Sequence, residues 1–101
     1  MADEVELADV IDHTGFQRKP AFLFLMLFRS AGRIVTKTTL LDMLDFQIPS
    51  RDASEMALRN TAKYLKLQSR GFPFRVVASY GLGYRLELTD ANWHWRDAKR
   101  N

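Results

Sequence analysis

"VVASYGLGYRLEL", residues 76–88, decides the fold. Glycine is a poor strand residue, yet Gly81 and Gly83 stand inside a run whose flanks are β-branched or alternate in polarity. Two glycines at such a place mark a tight turn, or a backbone that must lie close against something. The segment reads as a β-hairpin with a glycine-shaped turn. What it does depends on the elements before it.

Immediately upstream, Gly71 and Pro73 stop a helix predicted over residues 53–69. Asp52 and Glu55 have the spacing of a capped helix start. This helix has two distinct sides. Arg59, Lys63, Lys66 and Arg70 follow one another at steps of four, three and four, which keeps them on one stripe. Leu58, Thr61, Ala62 and Leu65 occupy the other side.

Before it, Pro49 punctuates a loop, and Thr36 is placed to cap a helix that buries Leu40, Leu41 and Leu44. Arg33, Ile34 and Val35 form a short extended piece. Residues 17–31 read as a helix apolar almost all round, hence central in the core, with Pro20 in its first turn and Gly32 at its end. Residues 3–11 fit two patterns. Asp3 with Glu6 resembles a capping box and puts Leu7, Val10 and Ile11 on a helical face, whereas Val5, Leu7 and Ile11 suit one face of a strand.

The predicted order is helix, short strand, helix, loop, longer helix, hairpin. This is an α+β chain with three helices plus a C-terminal β-hairpin, the layout of a winged helix-turn-helix. In such a domain the third helix enters the DNA major groove and the hairpin lies alongside as a wing. The chain divides into an acidic segment over 1–15, the helix-and-wing body over 16–88, and a basic tail with two tryptophans over 89–101.

Composition agrees with a binder of polyanions. The chain has 101 residues, 47% of them hydrophobic, enough for one small core. It has no cysteine, so disulfides and thiolate metal ligands are excluded, and His13 and His94 are too few and too far apart for a structural zinc site. The longest apolar run, Ala21–Phe28, is far short of the ~20 residues of a membrane span. An acidic N-terminus is the wrong sign for a signal peptide. The expectation is a soluble protein of a reducing compartment, cytoplasmic and associated with the nucleoid. Asp3, Glu4, Glu6, Asp9 and Asp12 are acidic with no base among residues 1–12; taking these five from twelve acids leaves 15 bases against seven acids in the rest. A body of that charge attracts nucleic acid.

In this order and spacing the segments resemble the OmpR/PhoB-type winged-helix DNA-binding domains, the effector halves of many bacterial response regulators. The resemblance covers about residues 16–88. Gly32, Arg33, Val35, Thr36, Leu40 and Leu41 match the family's "G-R-V-V-S-R-x-x-L" segment, and "SEMALRNTAKYL" is similar to its recognition helix through Glu55, Met56, Leu58, Lys63 and Leu65. "VVASYGLGYRL" is similar to "I-x-T-V-R-G-V-G-Y-R-L". The sequence departs from the family at Ala57, Thr61 and Ala62, at Tyr80, where an arginine is usual, and at Pro20. No receiver domain or phosphoacceptor precedes it, and the segment before Phe16 is too short for the family's four-stranded platform.

On this reading Arg59 reaches guanine O6 and N7, and Asn60 pairs with adenine N6 and N7. Lys63, Lys66 and Arg70 meet phosphates, which fixes position without reading sequence. Arg51 and the start of the third helix suit a phosphate. Arg33, Thr36 and Lys37 stand where the second helix begins, and Tyr80 and Arg85 place the wing against the adjoining minor groove. Tyr64 and Tyr84 read as core residues, and Arg33 alternatively as a brace for its turn. The acidic segment is a platform element, a solubility tail or a cover over the basic face.

The expected function is sequence-specific binding of double-stranded DNA by a transcriptional regulator. The resemblance implies a homodimer or a tandem head-to-tail assembly on direct repeats. The alternative is a winged-helix adaptor docking on RNA polymerase or another regulator, through its basic face or through Trp93 and Trp95. No catalytic residue, metal site or cofactor is expected: no nucleophile–base pair is identifiable, and no helix or G-K-[ST] follows the G-x-G.

Overall fold

The structure, a computed structural model, describes residues 2–44 and 51–98, and side chains within residues 5–44 and 54–98. Helix α1 (Ala2–Thr14) leads into α2 (Arg18–Arg29), strand β1 (Val35–Thr36) and helix α3 (Lys37–Leu44). Helix α4 (Arg51–Gln68), strands β2 (Phe74–Ser79) and β3 (Gly83–Leu88) and a 3-10 turn at Trp95–Asp97 complete the order. The chain is an α+β domain, with four α-helices among the described residues where three were expected.

The additional helix is α1, and the core explains why helix prevails over strand. Leu7 and Val10 are both buried and Ile11 is half-buried against the same cluster. Positions 7 and 10 share a helical face but would fall on opposite faces of a strand. Glu6 pairs with Arg29 of α2, and the His13 ring meets the edge of Trp95 with centroids 5.5 Å apart. The acidic helix therefore packs on α2 and the C-terminal turn rather than covering α4.

Helix α2 is the hub, with Leu23, Phe24 and Leu27 fully buried. Its start is tied to the end of α4, because the Gln17 backbone N–H donates to Gln68 Oε1 at 3.0 Å. It stops two residues earlier than expected. Ser30 caps it, and Ala31 (φ 52°) and Gly32 (φ 86°) turn the chain in left-handed conformations. Helix α3 starts as the sequence predicts, with Thr36 Oγ1 accepting the Thr39 N–H at 3.2 Å.

The hairpin is part of a three-stranded antiparallel sheet of order β1-β3-β2. β2 begins at Phe74, two residues before the expected start, and pairs Val76 with Leu86. β1 pairs Val35 with Tyr84 and Thr36 with Gly83. Both glycines of the opening motif now have a cause. Gly81 is the third residue of a turn closed by Leu82 N–H to Ser79 C=O, and its φ of 74° suits glycine. Gly83 lies where β1 crosses: a Cβ there would sit 2.0 Å from the Val35 carbonyl oxygen.

The tail folds back onto the domain. Trp95 is 1% exposed, and Trp93 stacks among Phe24, Phe28, Phe72 and Phe74. His94 Nδ1 accepts the Arg96 N–H while the Asp97 carboxylate accepts the His94 N–H, both at 3.0 Å. This reciprocal cap fixes the turn that delivers Trp95 to α1.

Candidate nucleic-acid interface

Helix α4 buries Leu58, Thr61, Ala62 and Leu65, joined by Ser54 and Ser69 at its ends. Thr61 is tolerated in this stripe because its hydroxyl donates to the Ala57 carbonyl at 2.9 Å. Fully burying leucines such as Leu58 and Leu65 is worth roughly 1.5–3 kcal/mol each, so the helix is held firmly from one side. Arg59, Asn60, Lys63, Lys66 and Arg70 are all exposed. Among the described residues none of these four cations forms an ion pair with a carboxylate.

The stripe does not point straight outward. At 3.6 residues per turn, the line opposite the buried set runs through Met56, Asn60, Lys63 and Leu67. The cationic stripe lies roughly 60° from that line, on the flank that faces the hairpin. Arg59 shares a cleft of about 320 Å³ with Lys37, Ser79, Tyr80 and Tyr84. Further along, Lys66 and Arg70 share a groove with Arg75 and Val76 of β2. Cations thus border two hollows, one toward each end of the seam, or trough, between α4 and the hairpin.

Burial and charge both act on Tyr84 in the cleft. Burial pushes the Tyr84 phenol above its ordinary value, and the nearby Arg59 guanidinium offsets part of that rise by favouring the phenolate. Lys37 stands 4.0 Å from Glu55, a loose pair across the starts of α3 and α4. Tyr80 projects entirely into solvent at the hairpin tip, with Leu82 beside it 57% exposed.

Other expected site residues lie elsewhere. Arg33 is exposed and its Nε donates to the Ser30 carbonyl at 3.3 Å, bracing the turn after α2. Thr36 is occupied as the cap of α3. Arg85 binds Glu87 at 3.2 Å and lines a hollow with Phe28 and Gly32, apart from the α4 cations. The Arg51 side chain lies outside the described residues, as do Lys99 and Arg100.

One expectation about aromatics needs revision and the other holds in part, since Tyr84 packs against the core cluster. Tyr64 is 53% exposed rather than in the core, because it falls on the flank of α4 away from the hairpin; Tyr84 is half-buried. The exposed Met56 (61%) and Leu67 (45%) were not singled out in the sequence at all as surface residues. Their signal is positional: both fall opposite the centre of the buried set.

No group of three or more metal-binding side chains occurs among the described residues, and no described helix is long and apolar enough to cross a membrane. The chain matches no family model, no curated protein and no solved structure.

Proposed function

We propose that the chain is a winged-helix regulator of the OmpR/PhoB type that binds double-stranded DNA, with α4 in the major groove and the β2–β3 hairpin as its wing. The observation that carries this reading is the trough of unpaired cations between α4 and the hairpin. Arg59, Lys63 and Lys66 of α4, with Arg70 two residues past its end, hold four positive charges on one flank, and none of the four pairs with a carboxylate among the described residues. A helix of 18 residues presenting such a flank suits the width of the major groove, and phosphates follow the cations. Arg33 and Arg85 have partners within the domain and are assigned no base contact.

The adaptor alternative loses one of its supports, because the indoles it relied on are packed into the domain. Binding to a random duplex pool at two salt concentrations tests the proposal. A DNA regulator enriches a motif and loses affinity with a log–log salt slope of about −0.9 per phosphate contacted, and Arg59→Ala with Lys63→Ala reduces that slope by up to about two units. Failure to retain any duplex at low salt overturns the reading.

A further inference from the structure

The outermost line of α4 is mostly uncharged. Met56 and Leu67 are exposed, Asn60 stands between them, and Lys63 carries the only charge on the line. The three remaining cations sit on the flank toward the hairpin. Whatever polyanion the flank holds, the surface pressed deepest into it presents one amide and two apolar side chains around a single ammonium, that of Lys63.

We infer that this line reads A·T base pairs, with Met56 and Leu67 packing on thymine methyl groups and Asn60 bonding adenine between them. The inference rests on the DNA-binding reading and names the sequence class that reading would recognise. Its chemistry follows from the major-groove edges. The C5-methyl of thymine is the one apolar group displayed there, and adenine presents the acceptor–donor pair at N7 and N6 that an amide matches in bidentate fashion. A guanine or cytosine edge opposite Met56 or Leu67 would instead lose water from its polar groups without gaining a partner. Charge complementarity selects duplex DNA as the occupant over an apolar protein surface: Arg59, Lys63, Lys66 and Arg70 border the same line, and burying four unpaired cations against an apolar partner is strongly unfavourable.

The geometry also sets the spacing. Met56 to Asn60 is one turn, and Met56 to Leu67 spans about 16 Å, comparable to five base-pair steps of about 3.4 Å. The recognised element is therefore a short run of A·T pairs with thymines toward its two ends.

The test uses the full chain and duplexes recovered from the random pool, titrated by fluorescence anisotropy with thymine or deoxyuridine at each A·T pair. Deoxyuridine keeps the base pairing and removes only the methyl group. The expected result is an A·T-rich motif in which deoxyuridine at one or two positions weakens binding about fourfold each, the value of one methyl group returned to water. Met56→Ala or Leu67→Ala should abolish the effect at one position and leave the other intact. Both residues are exposed, and circular dichroism verifies that the variants remain folded.

A G·C-rich motif, or indifference to deoxyuridine while Arg59→Ala with Lys63→Ala still weakens binding, overturns this inference and leaves the DNA-binding reading in place. Absence of any salt-dependent duplex binding overturns that reading and this inference with it. Wild-type sensitivity to deoxyuridine that persists in both alanine variants also overturns it, since the methyl groups would then meet other residues.

Discussion

Gly83 and Gly81 stand two residues apart, and alanine at each meets a different obstacle. At Gly83 the new methyl would collide with backbone, 2.0 Å from the Val35 carbonyl oxygen and 2.8 Å from Thr36 Cα, and neither atom can swing aside as a side-chain end would. Gly83→Ala is expected to cost about 3 kcal/mol or more by forcing β1 off β3. At Gly81 the space is open and only the φ of 74° resists, so Gly81→Ala should cost about 1 kcal/mol. Urea denaturation midpoints of the two variants check the difference. Ala31 is the converse case, an alanine held at φ 52°. Ala31→Gly removes the left-handed penalty of about 1–2 kcal/mol and gives back part through the looser unfolded chain, for a net gain of about 0.5–1 kcal/mol. A third test at this scale concerns the trough. The phenol of Tyr84 is raised by burial and lowered by Arg59, so Arg59→Ala should raise it further, seen as a later onset of its tyrosinate signal in an alkaline NMR titration. No change on that substitution would mean Arg59 does not lie close to the phenol in solution.

Single elements show what the sequence could and could not convey. The basic stripe of α4 was legible because four charges in a 3.6-residue period leave little ambiguity, and Thr36 was legible as a cap because its partner lies three residues away. The identity of α1 was not, since Val5, Leu7 and Ile11 satisfy a strand as well as Leu7, Val10 and Ile11 satisfy a helix. Only packing against α2 and Trp95 separates them. The exposure of Met56 and Leu67 was hidden because a wheel drawn around the charges centres on the flank, whereas one centred on the buried residues finds the outward line. Gly83 was legible as an oddity, but its cause is a strand distant in sequence. The hairpin adds a pH dependence. Arg75 faces Glu87 across the strands, and with Arg85 it holds the Glu87 carboxyl below its ordinary value. A lowered acid contributes stability above the ordinary carboxylate range, and this is lost as pH falls through that range and below. Glu87→Gln should therefore be slightly less stable than wild type at neutral pH, and the gap should close as pH falls through and below the ordinary carboxylate range, followed as urea midpoints. The effect is small because the pair is exposed to solvent.

At the scale of the whole molecule, the packing of the C-terminal turn lies apart from the cationic flank of α4, although Leu58, Phe74 and Val76 of the core also line the hollows beside that flank. Trp95 locks the tail against α1, Phe24 and Phe74 join α2 to the hairpin, and Trp95 lines neither hollow beside the α4 cations. This separation makes the two kinds of substitution distinguishable. Trp95→Ala empties a buried site and should cost about 3–5 kcal/mol, a large share of the 5–15 kcal/mol typical of a domain. Its melting temperature should fall by well over 10 °C, since 1 kcal/mol shifts a domain of this size by roughly 4–8 °C. Measured well below that lowered midpoint, however, its affinity for the selected duplex should match wild type, because α4 still packs on α2 and its cations are unmoved. Arg59→Ala with Lys63→Ala should do the reverse, weakening DNA binding at an unchanged melting temperature, because both side chains are exposed and make no ion pair with a carboxylate among the described residues. If Trp95→Ala lowered affinity while fully folded, the tail would be shaping α4 itself. The trough would then depend on the C-terminal turn, in conflict with the packing that places that turn on α1.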